Sequence, residues 1–315
     1  MQKYNLIDNI KKSKSVLIVG HVRPDGDCFG SGLALKRICE NLSVGADFVV
    51  DSDLPKHYSF IEGFETINVR KYSDYDMVIS VDCADELRMG KYYLLMKSCM
   101  RSVNIDHHVT NSCFAKTNIV KDVSSTCEVL YFLLKDANVF DDYVASCFYI
   151  GLSTDTGHFK HNNTTAQTFI MASELTSYNF DRYSILNKLY RNNTINHTAL
   201  SSNAISKMRY YCDNRIAIIT ITMQMLEQFG CTMSDTEGII DHAMDVGCVE
   251  VAVCMTQQAK HSYKVSFRSK SVNVAESARV FGGGGHALAS GCVVNGFYED
   301  CIDKVLKSIT DGMND

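Results

Sequence analysis

The segment Ser102-Val-Asn-Ile-Asp106-His107-His108-Val-Thr-Asn111 ends a short apolar run in one acid and two adjacent imidazoles. Neighbouring side chains on an extended segment point to opposite sides, so one His is expected to bind metal and the other to face substrate. A second cluster, His21-Val-Arg-Pro-Asp25-Gly-Asp27, places an imidazole and two carboxylates on a tight turn favoured by Pro24 and Gly26. Such a turn can aim N and O donors into one small volume, although Asp25-Gly-Asp27 alone also reads as an Asx turn capping a helix that begins near Gly30. Asp82, after Val81, reads alone as a helix N-cap or as a carboxylate whose two oxygens bridge two ions. Asp155, in Thr154-Asp-Thr-Gly157, reads as part of a helix-ending turn or as a further ligand.

Two divalent ions about 3.5–4 Å apart clamp the attacking and leaving oxygens of a phosphoester displacement and activate a water. His21, Asp25, Asp27, Asp82, His107 and Asp155 supply the carboxylates and imidazoles that such a centre requires. That donor set suits two Mn²⁺ ions, with Mg²⁺, Fe²⁺ or Zn²⁺ also compatible. His158, His161, His197, His242 and His261 lack such company and read as surface or satisfied histidines. Further on, Arg268 follows an apolar run and four glycines, Gly282 to Gly285, precede His286. The glycines read as a flexible turn or as a backbone cradle for an anion; Arg268 reads as a solvated cation or as a fork onto phosphate. His286 directly after the glycines favours the anion site.

The elements that must position these residues follow from periodicity. Val16–Gly20, Ala46–Val50, Met77–Val81 and Val103–Ile105 are short apolar runs that read as buried strands, alternating with helical stretches such as Leu6–Lys14 and Gly30–Leu42. This is the pattern of an α/β fold with a parallel sheet, in which ligands bind outside the carboxyl ends of the strands. Three of those ends carry His21, Asp82 and Asp106-His107-His108. Helices are expected at 126–137, 144–152 and 165–177, with 153–157 as a turn, and more polar helical sequence at 181–209 reads as a connector. Beyond it lie a strand at 216–222, a helix at 235–246, a hairpin of 249–256 with 263–267, and helices at 274–281 and 299–309. The second half is thus a smaller mixed α/β domain.

The 315 residues favour two domains, and 46% hydrophobic with 21% charged residues is ordinary for a globular protein. A net charge of −5 argues against gripping long duplex nucleic acid through a broad basic surface. Thirteen Cys without paired spacing, no signal peptide and no membrane-spanning apolar run make a cytoplasmic protein with reduced thiols the expectation.

These residues resemble the DHH phosphoesterase superfamily through His21-x-x-Pro-Asp-Gly-Asp27-x-x-Gly-Ser31, Val81-Asp82, Ile105-Asp-His-His-x-x-Asn111 and Asp155-Thr-Gly-x-Phe159, with Ser125-Thr126-x-Glu128 and Asn163-Thr-Thr165 as further landmarks. The second half looks like the DHH-associated domain, through Ser266-x-Arg-Ser269 and Gly283-Gly-Gly-His286-x-x-Ala-Ser-Gly291. The resemblance is to the nanoRNase group. It implies a DHH catalytic domain at 1–185, a helical linker at 186–209 and a substrate-binding domain at 210–315. It implies a Mn²⁺-dependent exonuclease that degrades short RNA of two to five nucleotides to mononucleotides and dephosphorylates pAp to AMP; the alternatives are hydrolysis of cyclic di-AMP or pApA and a non-catalytic nucleotide-binding regulator. In that pattern His21, Asp25 and Asp82 hold one ion and Asp27, Asp82, His107 and Asp155 the other. Asp82 and His108 act in catalysis, His108 touching the scissile phosphate, and Asp106 orients imidazole from behind. Arg268, Gly283, Gly284, Gly285 and His286 bind the substrate's terminal phosphate. A homodimer is among the assemblies the family implies, and Asn273 departs from it where an acid is expected.

Overall fold

The structure, a computed structural model, describes residues 5–313; the side chain of His286 lies outside that description. Two compact units meet in sequence between Asn192 and Asn193. The first contains strands β1 (Ser15–Val19), β2 (Gly45–Val49), β3 (Met77–Val81), β4 (Ser102–Asp106) and β5 (Thr117–Val120), all paired in parallel in the order β2-β1-β3-β4-β5. Its helices are α1 (Leu6–Lys11), α2 (Gly26–Asn41), α3 (Tyr93–Ser98), α4 (Thr126–Leu134), α5 (Asp142–Asp155), α6 (Ala166–Leu175) and α7 (Arg182–Tyr190). Strands β1, β3 and β4 are buried along their whole length, because apolar groups cover both faces of the sheet. Ile18, Phe29, Phe48, Ile79, Leu130 and Phe148 share one core, whereas Leu17, Val19, Val49, Val78 and Met96 share the other.

The chain passes from β1 to β2 on one side and returns to β3 on the other, so the strand order reverses between β1 and β3. Such a reversal opens a crevice outside the carboxyl ends. His21 lies two residues past β1, Asp82 follows β3, and Asp106 ends β4. Neighbouring strands are about 4.8 Å apart, so the three ends sit side by side.

Helices α2 and α5 bring in the remaining donors. A Cβ at Gly30 would lie 2.5 Å from the Cys147 carbonyl oxygen, and one at Gly151 would lie 2.6 Å from Asp27 Oδ1. The helices therefore touch backbone to backbone, which carries Asp27 in the first turn of α2 to Asp155 at the end of α5. Gly30→Ala is expected to lower stability by about 1–3 kcal/mol through overpacking, read as a lower urea midpoint; an unchanged midpoint would show that the crossing adapts.

The second unit contains α8 (Ile195–Ser206), β6 (Arg209–Tyr211), β7 (Ile216–Ile221), α9 (Met223–Phe229), α10 (Asp241–Met244), β8 (Val251–Ala259), β9 (Ser262–Ser269), α11 (Val274–Arg279), β10 (Gly284–His286), β11 (Ala289–Asn295) and α12 (Tyr298–Met313). Its sheet runs β10-β11-β9-β8-β7-β6, with β7 and β8 parallel and the other neighbours antiparallel. The α/β class, the parallel first sheet and the mixed second unit agree with the sequence reading. Among the described residues, no helix is long and apolar enough to cross a membrane.

Several boundaries differ from expectation. Helix α2 begins at Gly26 rather than near Gly30, because Asp25 caps it from an extended conformation. Helix α5 continues through Asp155, so the turn expected at 153–157 starts only at Thr156. The helix expected at 235–246 is broken into a 3-10 turn at Met233–Thr236 and the single turn α10, separated by Gly238 at φ +79°.

Candidate metal centre

His21 is 2% exposed, and its Nδ1 lies 2.9 Å from the Val22 carbonyl oxygen. That contact turns Nε2 toward Asp25 Oδ1 at 3.6 Å and Asp82 Oδ2 at 3.3 Å. Asp25 does two things at once: its Oδ1 accepts the backbone N–H groups of Asp27 and Cys28, each at 3.1 Å, while the carboxylate faces His21. Capping the helix and lining the centre are thus compatible.

Asp82 has φ +60°, and no helix starts there. The left-handed region costs a non-glycine residue about 1–2 kcal/mol, least for Asp and Asn. The bend directs its two oxygens to different imidazoles, Oδ2 to His21 and Oδ1 to His107 Nε2 at 3.6 Å. His107 Nδ1 contacts the Val123 carbonyl oxygen at 3.2 Å, and its Nε2 lies 3.1 Å from Asp155 Oδ2. Asp27, fully buried, accepts N–H donors from Thr126 at 2.6 Å and Cys127 at 3.0 Å.

The expectation that His107 and His108 point to opposite sides is not met. Strand β4 ends at Asp106, so pleating no longer governs the pair; their ring centroids are 4.5 Å apart and both flank Asp82 Oδ1, His108 Nδ1 at 3.7 Å. His108 Nδ1 also lies 2.8 Å from Asp106 Oδ1, and Asn111 Nδ2 donates to Asp106 Oδ2 at 2.6 Å. The acid of the triplet therefore orients His108.

Three groups bring donor atoms within 4.8 Å of one another: His21, Asp25 and Asp82; Asp27, His107 and Asp155; and Asp82, His107 and His108. Burial, with Asp82 nearby, pushes the Asp27 carboxyl up to about 7. Burial and the surrounding carboxylates push Asp155 well up. Burial alone would raise Asp82 as well, but the His21 hydrogen bond and the neighbouring imidazoles hold it below the ordinary carboxylate range. Burial opposes the charge on His21, yet Asp25 and Asp82 outweigh it and raise the imidazole to about 10. The cluster is thus short of positive charge, and oxygen and nitrogen donors in this arrangement fit divalent cations of the Mn²⁺, Mg²⁺, Fe²⁺ or Zn²⁺ type.

The remaining candidates belong to the second unit. Arg268, on β9, donates from Nη1 to the Phe267 carbonyl oxygen at 3.0 Å, and its Nε lies 3.8 Å from Asp241 Oδ1. Gly284 to His286 pair with Gly291 to Ala289, so much of the glycine run is strand rather than open turn. A Cβ at Gly283 would lie 2.2 Å from the Gly291 carbonyl oxygen, which accounts for glycine there.

Three features carried no role in the sequence reading. Arg88 Nη2 lies 3.3 Å from His21 Nδ1, 67 residues away along the chain; a lone Arg at that separation gives no signal in a single sequence. Thr126 Oγ1 donates to Asp82 Oδ1 at 3.1 Å, and Asn163 Nδ2 donates to the carbonyl oxygens of Ser124 at 3.0 Å and Asp155 at 3.1 Å. Both stand in motifs noted as landmarks.

The family description "DHH family, N-terminal domain" matches residues 15–152, and "DHHA1 domain" matches residues 214–315. The chain is 29% identical over 293 residues to the probable bifunctional oligoribonuclease and PAP phosphatase NrnA of Streptococcus mutans, covering 91% of each chain. It is 28% identical over 313 residues to the bifunctional oligoribonuclease and PAP phosphatase NrnA of Bacillus subtilis, covering 98% of this chain and 97% of the relative. The crystal structure of an exopolyphosphatase-related protein from Bacteroides fragilis shares the fold, with a TM-score of 0.89 at 24% identity over 97% of this chain and 95% of that one.

Proposed function

The chain belongs to the DHH family of phosphoesterases, its DHH domain followed by a DHHA1 domain, and from that premise we propose that it is a cytoplasmic hydrolase that degrades RNA of two to five nucleotides to mononucleotides and dephosphorylates pAp to AMP. The observation that carries the reading is Asp82, one buried carboxylate whose two oxygens face the imidazoles of two separate donor groups. Two divalent cations, Mn²⁺ in this reading, supply Lewis acidity and lower the pKa of a water. His21, Asp25 and Asp82 would hold one, and Asp27, Asp82, His107 and Asp155 the other. His108, oriented at Nδ1 by Asp106, would touch the scissile phosphate. Arg268, with the backbone of Gly283, Gly284 and Gly285 and with His286, would grip the terminal phosphate of a short substrate. A chain of net charge −5 suits that mode, since a few point contacts suffice.

The test offers the protein, with Mn²⁺ and separately with Mg²⁺, RNAs of two to five nucleotides, pAp, pApA, cyclic di-AMP and pyrophosphate side by side. Turnover of the short RNAs and pAp is expected. Preference for cyclic di-AMP or pApA would reassign the substrate, and no turnover of any would make the chain a nucleotide-binding regulator. Arg268→Ala is expected to raise KM for a dinucleotide by roughly 10- to 100-fold, the worth of one charged hydrogen bond, with kcat little changed. An unchanged KM would remove Arg268 from the phosphate grip.

A further inference from the structure

We infer that the turn 123–127 is a template that sets the spacing of both donor groups, with Thr126 and Asn163 as its positioning residues. The inference rests on the reading that those groups hold divalent cations. Six candidate donors come from separate strand ends and helix ends, and something must fix them relative to one another. This turn touches three of them, His107, Asp27 and Asp82, and Asn163 links it to a fourth, Asp155. The Val123 carbonyl oxygen meets His107 Nδ1 at 3.2 Å, which places the proton there and leaves Nε2 free to face Asp155. The backbone N–H of Thr126 donates to one oxygen of Asp27 and that of Cys127 to the other, so the first turn of α4 holds the whole carboxylate. The Thr126 hydroxyl donates to Asp82 Oδ1, the oxygen that faces His107. Asn163 ties the Ser124 carbonyl to that of Asp155 through one amide nitrogen.

Behind the turn its anchor is buried. The Ser124 hydroxyl donates to Glu128 Oε2, as does the Thr168 hydroxyl at 3.0 Å, and Thr168 in turn accepts the backbone N–H of Thr165, the cap of α6. Ser124, Ser125, Thr126 and Glu128 are all fully buried. A turn fixed from behind by two helices can hold several carboxylates without reorganising, and partners of this kind are worth about 10- to 100-fold in metal affinity when removed. Thr126 is the residue on which the two groups depend together, because its N–H serves Asp27 and its hydroxyl serves the shared Asp82.

Thr126→Val keeps the backbone donor and nearly the same shape but removes the hydroxyl; Thr126→Ser keeps the hydroxyl and removes the methyl. Calorimetric titration of metal-stripped protein with MnCl₂ should show Thr126→Val weakened by about 10- to 100-fold and Thr126→Ser within a few-fold of wild type. Asn163→Ala should weaken binding similarly, and it carries the test if Thr126→Val fails to fold. Wild-type affinity in both Thr126→Val and Asn163→Ala would overturn the inference, as would equal losses in Thr126→Val and Thr126→Ser, which would indicate packing. Absence of cation binding by the wild-type chain would bring down the proposed function and this inference with it, whereas normal wild-type binding beside unchanged variants would bring down the inference alone.

Discussion

Asp82→Asn is expected to reduce turnover of a short RNA by on the order of 10³-fold, the scale of losing one preorganised electrostatic element of a phosphoryl-transfer site. Asparagine is the informative replacement because it tolerates the left-handed backbone that Asp82 adopts at φ +60°. The fold is thereby spared while the charge is removed. The side chain is 3% exposed and its two oxygens face His21 and His107. The amide puts a neutral oxygen on one side and an N–H donor on the other, so at least one donor group loses its carboxylate. Calorimetry with MnCl₂ should show fewer bound ions than wild type, alongside the rate loss. Near-wild-type turnover with unchanged stoichiometry would remove Asp82 from the centre of the mechanism.

His108→Ala and His107→Ala should fail in different ways. His107 Nε2 reaches both Asp155 and Asp82, so its removal should weaken cation binding, and excess Mn²⁺ should restore part of the rate. His108 is oriented by Asp106 from one side and stands 20% exposed. Its removal should leave the ion stoichiometry intact and lower kcat by about 10²- to 10⁴-fold, the range for a positioned proton-transfer group, with no rescue by Mn²⁺. If both variants lose the ions, or both keep them, the division of labour between the two imidazoles is wrong.

Much of the centre was legible because buried parallel strands are short unbroken apolar runs. Met77–Val81 was expected residue for residue, and the polar residue that ends each run marks the crevice. Strand β5 was not anticipated: Thr117-Asn-Ile-Val120 is half-buried at a sheet edge and carries no apolar signal. Strands β10 and β11 were hidden by Gly and Ser, which read as loop, although close backbone approach is what those residues permit. Helix α9 was also missed, since Met223–Phe229 is seven residues long. The template turn escaped for a different reason. Val123, Ser124 and Cys127 act largely through backbone groups, and a backbone donor leaves no mark on residue identity.

The neighbours of the carboxylates bear on which ions the centre would accept. Cys28 follows Asp27, Cys83 follows Asp82, and Cys127 gives its N–H to Asp27; all three thiols are buried and free. Thiolates at these positions would favour soft ions such as Cu⁺ or Cd²⁺ over hard ones. Burial pushes all three thiols far up, and nearby carboxylates, Asp82 above all for Cys28 and Cys83 and Asp27 for Cys127, push them further. Among the described residues, moreover, none of the three sulfurs joins the donor groups of the centre, so a sulfur-rich neighbourhood presents a face of oxygen and imidazole nitrogen to a cation.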